Sequence, residues 1–350
     1  MSDLWKSILL RPDQAIRECL EILDKGSLRI ALVVDDAMTL LGVLTDGDVR
    51  RALLRNITMD SPVSDIMTTT PVTADQHNTR KEIVELMEQK QLLVVPLLDG
   101  KTLVGLETLL RSGSARTYDN PVFLMAGGFG TRLRPLTNDC PKPMLKVGDK
   151  PILETVLRGF KNAGFYNFYI SLHYLPNVVR DYFGDGSKWD VNIQYVLETE
   201  PLGTGGALGL LPDDMPDLPL IVMNGDLLTQ VDYEILMKFH TKNSSQATMC
   251  VREYTYQIPF GVVNGEGNQI SGMIEKPSYR HFVNAGIYVI ERALLNKVLK
   301  NQKMNMPDLF EQCIEDKKKV LMFPIHEYWL DIGRLDDFEK AQQDILNLDL

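Results

Sequence analysis

The stretch from Pro121 to Pro143, PVFLMAGGFGTRLRPLTNDCPKP, limits what this chain can fold into more than any other. Val122, Phe123, Leu124 and Met125 form a continuous apolar run, the pattern of a strand buried on both faces in a parallel sheet under helices. Gly127, Gly128 and Gly130 follow immediately. Lacking side chains, they let the backbone take positive φ and turn its N–H groups onto an anion. Arg132 and Lys142 add fixed positive charge, the Arg as a planar fork suited to phosphate oxygens and the Lys as a point charge. Pro135, Pro141 and Pro143 stiffen the segment between them. The stretch therefore reads as a strand leading into a phosphate-holding loop. It is neither of two common loops: a dinucleotide-binding loop wants a glycine where Leu133 stands, and a Walker loop needs Gly-Lys-Ser/Thr, which does not follow.

Charge narrows the partners. The chain has 350 residues and a net charge of −10, so nucleic acid and anionic membrane, which need a basic footprint, are not expected partners. A phosphate site must then be a local basic island, which Arg132, Arg134, Lys142 and Lys146 supply. No run of 18 apolar residues occurs, and MSDLWKSILLRPDQ lacks a basic segment ahead of an apolar core, so a cytoplasmic location is expected. Cys19, Cys140, Cys250 and Cys313 are scattered without CxxC spacing, which indicates neither a zinc site nor a disulfide framework.

The length suits two domains, 1–115 and 120–350, joined by the polar, aperiodic RSGSARTYDN from Arg111 to Asn120. The first carries an internal repeat, 1–58 and 59–115. Aligning LLGVLTDGDV with LVGLETLLRS places Gly42 on Gly105, and the same offset places Leu20 on Ile83, Leu23 on Leu86 and Ile30 on Leu93. Each copy reads as helix, strand, strand, helix, with turns at Asp35–Ala37 and Asp99–Lys101. This half resembles a tandem pair of cystathionine-β-synthase (CBS) modules of α+β fold, whose families bind adenine nucleotides between the copies. Thr45 and Asp48 of GVLTDGD match the Thr-x-x-Asp such modules use on ribose and phosphate. The second copy has Thr108 and Leu109 in GLETLLR where an Asp is wanted, so the resemblance implies at most one intact site, for an adenine nucleotide or a product.

Beyond the linker, helical and β-rich segments alternate. LETVLRGFKNAG is helical with Gly164 as C-cap, NFYISL is a strand, VVRDYFGDG is helical, NIQYVLE and LPLIVMNGD are strands, and Asp232 caps the helix DYEILMKFHTK. Such alternation implies a doubly wound α/β sheet with its site at the carboxyl ends of the strands. GGFGTRLRPLT followed by PKPML resembles the signature of the sugar-1-phosphate nucleotidyltransferases. The expectation is a Rossmann-like, GT-A-like mixed sheet behind the CBS pair. No hexapeptide repeat follows, so no appended β-helical acyltransferase domain is expected.

The resemblance implies attack of a sugar-1-phosphate oxygen on the α-phosphorus of a nucleoside triphosphate, with release of pyrophosphate. Gly127, Gly128, Gly130 and Thr131 would cradle the nucleotide. Arg132 would lie against the triphosphate, and Lys142 would bridge nucleotide and sugar phosphate. Asp226, ending LPLIVMNGD, matches the family's magnesium-binding aspartate, and Asp331 in WLDIGRL matches its C-terminal partner; one or two carboxylates suffice for Mg2+. Gly261, Glu275, Lys276 and Asn284 match sugar-binding segments, and Glu198 and Gly203 in ETEPLGTGGAL match base-reading positions. A carboxylate only accepts hydrogen bonds and suits the donors of guanine, which favours GTP.

A CBS pair ahead of a short nucleotidyltransferase resembles the bacterial glucosamine-1-phosphate guanylyltransferases of legionaminic acid synthesis. Mannose-1-phosphate guanylyltransferases and the UDP- or dTDP-sugar pyrophosphorylases are the alternatives, and a homo-oligomer is expected. From a different class, a nucleotide-sensing protein with an inactive transferase half is disfavoured because Arg132, Lys142, Asp226 and Asp331 are all present.

Overall fold

A computed structural model of the chain describes residues 3–25, 28–90, 92–109 and 117–348. The chain divides into two compact units, Met1–Ser114 and Ala115–Leu350. Of the expected linker, residues 111–116 lie outside the described residues.

In the first unit the helix Ile16–Lys25 precedes the antiparallel strands Ile30–Val34 and Leu40–Thr45 and the helix Asp46–Leu54. The second copy repeats this with the helix Arg80–Lys90 and the strands Val94–Asp99 and Thr102–Thr108. Its closing helix would fall beyond Leu109, outside the described residues. The register corrects the alignment ahead of the turn. Ile30 pairs with Thr45 and Val94 with Thr108, so Ile30 corresponds to Val94 rather than Leu93. The buried helix residues likewise equate Cys19 with Ile83 and Leu23 with Met87, not Leu20 with Ile83 or Leu23 with Leu86. The cause is a first turn, between Val34 and Leu40, that is one residue longer than its counterpart between Leu98 and Leu103. Beyond the turn the alignment holds. Thr39 and its counterpart Thr102 form an antiparallel bridge, flanked by Leu40 N–H donating to Lys101 O at 3.1 Å and Leu103 N–H to Met38 O at 2.8 Å. The two copies thus pair through equivalent residues, as a local two-fold axis requires.

The second unit is built on a seven-stranded mixed sheet. Its order is Asn192–Leu197, Asn167–Leu172, Val122–Met125, Leu220–Asn224, Ser278–Ile290, Ala247–Gln257, Val320–Ile325. The first four strands are mutually parallel, and Ser278–Ile290 runs against both of its neighbours. The apolar run 122–125 lies at the parallel centre and is covered on both faces, as its composition requires. Val122 and Leu124 pack with Phe160, Phe168 and Leu236, while Phe123 packs with Tyr288, Leu309 and Phe310 on the opposite side. Truncating the fully buried Phe123 to Ala should cost about 3–5 kcal/mol. Asp232 caps the helix Tyr233–Lys242 by accepting from Ile235 N–H at 2.8 Å. Among the described residues no helix is long and apolar enough to cross a membrane.

Candidate active site

The loop leaves the central strand at Met125, and its glycines differ in what demands them. A Cβ on Gly127 would stand 2.6 Å from Glu198 Oε1, one on Gly128 would meet nothing within 4 Å, and Gly130 takes φ +61°. A Cβ on Gly130 would be 3.0 Å from both Lys142 Cβ and Thr137 Cγ2. The buried Thr137 hydroxyl donates to Gly130 O at 2.8 Å, closing the loop onto the 3-10 turn Thr131–Leu133. The loop that would take phosphates therefore packs directly on the stem of Lys142.

Two carboxylates far apart in sequence converge here by β-pairing. Asp226 stands between the central strand Leu220–Asn224 and the short strand Leu227–Thr229. That short strand pairs antiparallel with Trp329–Asp331, setting Leu227 opposite Asp331, and Ile332 N–H donates to Asp226 O at 3.2 Å. Lys142 Nζ lies 2.5 Å from Asp226 Oδ2 and 3.8 Å from Asp331 Oδ1. Asp331 is half exposed, yet its partial withdrawal from water raises its pKa from the ordinary carboxylate value, and the Asp226 charge adds to this, against the Lys142 and Arg132 cations. Arg132 belongs to the same corner: a Cβ on Gly333 would be 3.8 Å from Arg132 Nη1 and 3.9 Å from Asp331 Oδ1.

Asp226 Oδ1 is buried and makes no hydrogen bond, an arrangement that is costly unless a further partner is taken. Two hard carboxylates with one oxygen unused fit a divalent cation such as Mg2+.

Glu198 forms a second focus. It is buried, accepts from Leu202 N–H at 3.1 Å through Oε2, and turns Oε1 toward Gly127. Burial pushes its carboxyl up, against the Leu202 N–H, the Ser171 hydroxyl and His173. Gly203 takes φ +78°, and a Cβ there would meet Met304 O at 2.6 Å and Asn305 Oδ1 at 2.8 Å. Its missing side chain is thus required by close packing of backbone on backbone.

Of the expected sugar-binding residues, Gly261, Glu275 and Lys276 flank a separate two-stranded hairpin, Val262–Glu266 and Gln269–Ile274, and Asn284 lies on the main sheet. A Cβ on Gly261 would be 3.0 Å from Glu275 Oε2, so these two residues face each other, and Lys276 takes φ +43° next to Glu275. Asn284 sits on the strand Ser278–Ile290, donates to the Tyr288 hydroxyl at 2.7 Å and accepts from Gly286 N–H at 2.9 Å. Trp329 Nε1 donates to Ala285 O at 2.8 Å, tying the Asn284 segment to the strand that carries Asp331.

Other residues join the site without having been singled out from the sequence. Tyr174 donates its hydroxyl to Thr137 O at 3.1 Å and Asn138 O at 2.7 Å, and Phe129 meets His173 edge-on at 5.2 Å. His173 Nδ1 lies 2.9 Å from Glu198 O. The signal available was position alone: His-Tyr directly follows the strand NFYISL, at the sheet edge where α/β sites form.

In the first unit, Thr45 and Asp48 form a capping box for the helix Asp46–Leu54. Asp48 is buried and accepts from Thr45 N–H at 2.9 Å, Thr45 Oγ1 at 2.7 Å and Arg51 Nη2 at 2.5 Å. Both residues expected to hold a ligand are already partnered within their own helix terminus.

The nucleotidyl transferase family model matches residues 122–347, and the CBS domain model matches 2–55 and 63–106. The mannose-1-phosphate guanylyltransferase of Mycobacterium tuberculosis is 31% identical over 237 residues, 66% of either chain. The mannose-1-phosphate guanyltransferase of Yarrowia lipolytica is 31% identical over 222 residues, 61% of either chain. The chain thus spans somewhat less than two thirds of the length of these relatives. HddC from Yersinia pseudotuberculosis shares the fold, with a TM-score of 0.51 at 24% identity, covering 65% of this chain and 99% of HddC.

Proposed function

The chain belongs to the nucleotidyl transferase family, and from that premise we propose that it transfers a guanylyl group from GTP to a hexose-1-phosphate, glucosamine-1-phosphate in the first instance. An oxygen of the sugar phosphate attacks the α-phosphorus, the bond from that phosphorus to the bridging oxygen breaks, and pyrophosphate leaves as the sugar nucleotide forms. The observation that carries this reading is the convergence of Arg132, Lys142, Asp226 and Asp331 beside the Gly127–Gly130 loop.

Transfer of this kind asks the protein mainly for alignment and for neutralisation of spreading negative charge. The loop N–H groups and Arg132 would hold the β- and γ-phosphates, with Arg132 acting most strongly as pyrophosphate charge develops. Lys142 would move onto the oxygens between the two substrates. Asp226 and Asp331 would hold Mg2+, which when bound neutralises phosphate charge and fixes its geometry. Glu198, through the oxygen facing Gly127, would accept from guanine, and Gly261, Glu275, Lys276 and Asn284 would take the sugar phosphate.

Mannose-1-phosphate is the second reading, favoured by the names of the Mycobacterium and Yarrowia relatives. For the N-terminal pair we retain an adenine-nucleotide or product site as the proposal, with the Thr45–Asp48 cap as the element a ligand would have to engage. The test incubates the full chain with Mg2+, each nucleoside triphosphate and a panel of hexose-1-phosphates, and measures pyrophosphate. Release with GTP and glucosamine-1-phosphate supports the first reading and release with mannose-1-phosphate alone the second. Release with UTP or dTTP only overturns the guanylyl assignment.

A further inference from the structure

Lys142 stands where a cation between the two carboxylates would stand. Its ammonium is 2.5 Å from Asp226 Oδ2 and 3.8 Å from Asp331 Oδ1, and its side chain is only 12% exposed. The same side chain packs at its Cβ against Gly130, the left-handed turn of the phosphate loop. One residue thus touches both the carboxylate corner and the loop expected to receive the triphosphate. We infer that Lys142 is a built-in placeholder cation, which keeps bare divalent metal out of the Asp226–Asp331 corner and yields it only when a triphosphate on the loop draws the ammonium away.

The physical basis is charge competition. An ammonium at hydrogen-bond distance from a partly buried carboxylate repels a divalent ion at the same oxygens, and this repulsion is poorly screened away from bulk water. A triphosphate offers the ammonium a denser set of oxygens a short swing away, because the Gly130 turn already lies against the Lys142 stem. Once the ammonium moves, Asp226 Oδ2 is released beside the unused Oδ1. Metal and triphosphate then bind with positive coupling, and linkage requires each to raise the other's affinity by the same factor. The inference rests on the metal reading proposed above and adds to it the sequence of events: the metal enters with or after the nucleotide.

The test measures Mn2+ binding, by the electron paramagnetic resonance of free Mn2+, to the full chain and its variants with and without a non-hydrolysable GTP analogue. Without nucleotide, Lys142→Met should bind Mn2+ roughly tenfold or more tightly than the unchanged chain, because a close repulsive charge is gone while the side-chain volume is kept. Lys142→Gln should behave likewise, so one poorly folding variant does not decide the matter. Adding Asp226→Asn to Lys142→Met should remove the gain. Equal Mn2+ affinity in the unchanged chain and both Lys142 variants, with binding still lost on Asp226→Asn, overturns the placeholder and leaves the metal site standing. Failure of every form to bind Mn2+ at Asp226, even with the analogue, overturns the metal reading and the inference with it.

Discussion

Leu227 faces Asp331 across the antiparallel pairing of Leu227–Thr229 with Trp329–Asp331, and this register brings Asp226 and Asp331 to one corner. The Ile332 N–H bond to Asp226 O locks the same corner from the other chain segment. The two acids are therefore placed by backbone pairing rather than by their own side chains, so changing either should leave the fold intact.

The loop glycines should separate by experiment. Gly127→Ala drives a methyl group to 2.6 Å from the buried Glu198 carboxylate, an overpacking that should cost about 1–3 kcal/mol and displace Glu198. Gly128→Ala meets nothing and should leave stability within roughly 0.5 kcal/mol while raising the KM for GTP, since its methyl points into the space a phosphate would fill. Urea unfolding and steady-state kinetics of both variants read this out. Equal stability losses would mean that the Glu198 contact is not what demands Gly127.

Base selectivity is expected to pass through Glu198. Glu198→Gln replaces an acceptor-only group with one that also donates, which should narrow the ratio of kcat/KM for GTP over UTP by about tenfold. The buried carboxylate also accepts from Leu202 N–H, so the amide must keep its oxygen there and thermal stability should fall only slightly. An unchanged selectivity ratio would show that Glu198 holds the Leu202 loop and does not read the base.

Much of this was legible in the sequence for physical reasons. The run Val122–Met125 is apolar at every position because both of its faces are covered, and Gly130 takes the positive φ expected of the glycine loop. The antiparallel half was not legible. Ala247–Gln257 and Ser278–Ile290 bury their sheet-centre portions but leave residues such as Tyr254 and Tyr256 exposed, which blurs the two-residue alternation. The pairing that joins Asp226 to Asp331 is a long-range contact of two three-residue strands, too short to show any periodicity. The off-by-one repeat alignment arose because a single added turn residue leaves the hydrophobic pattern of each strand intact.

Acid sensitivity should have one identifiable contributor in His240. Its ring is fully buried between Thr248 and Glu291, and burial lowers its pKa from the ordinary 6.5, with Glu291 opposing. In the unfolded chain the imidazole titrates near 6.5, so on acidification the unfolded state takes up the proton first. Stability is therefore lost as pH falls through 6.5 and on toward the lowered folded value. His240→Asn should reduce the drop in Tm between about pH 7.5 and 5.5, even though its Tm at the higher pH is lower. An identical drop in both proteins would remove His240 from the account.

The most direct measurement follows the α-phosphorus. The full chain is incubated with Mg2+, GTP labelled at that atom and, in turn, glucosamine-1-phosphate and mannose-1-phosphate, beside Asp226→Asn under the same conditions. The expected result is label in a guanosine-diphosphate sugar with one pyrophosphate released per product, and a rate lower by orders of magnitude in Asp226→Asn with an unchanged circular dichroism spectrum. Label recovered only as GTP or GMP with every hexose-1-phosphate offered, or equal rates in the two proteins, would contradict the account.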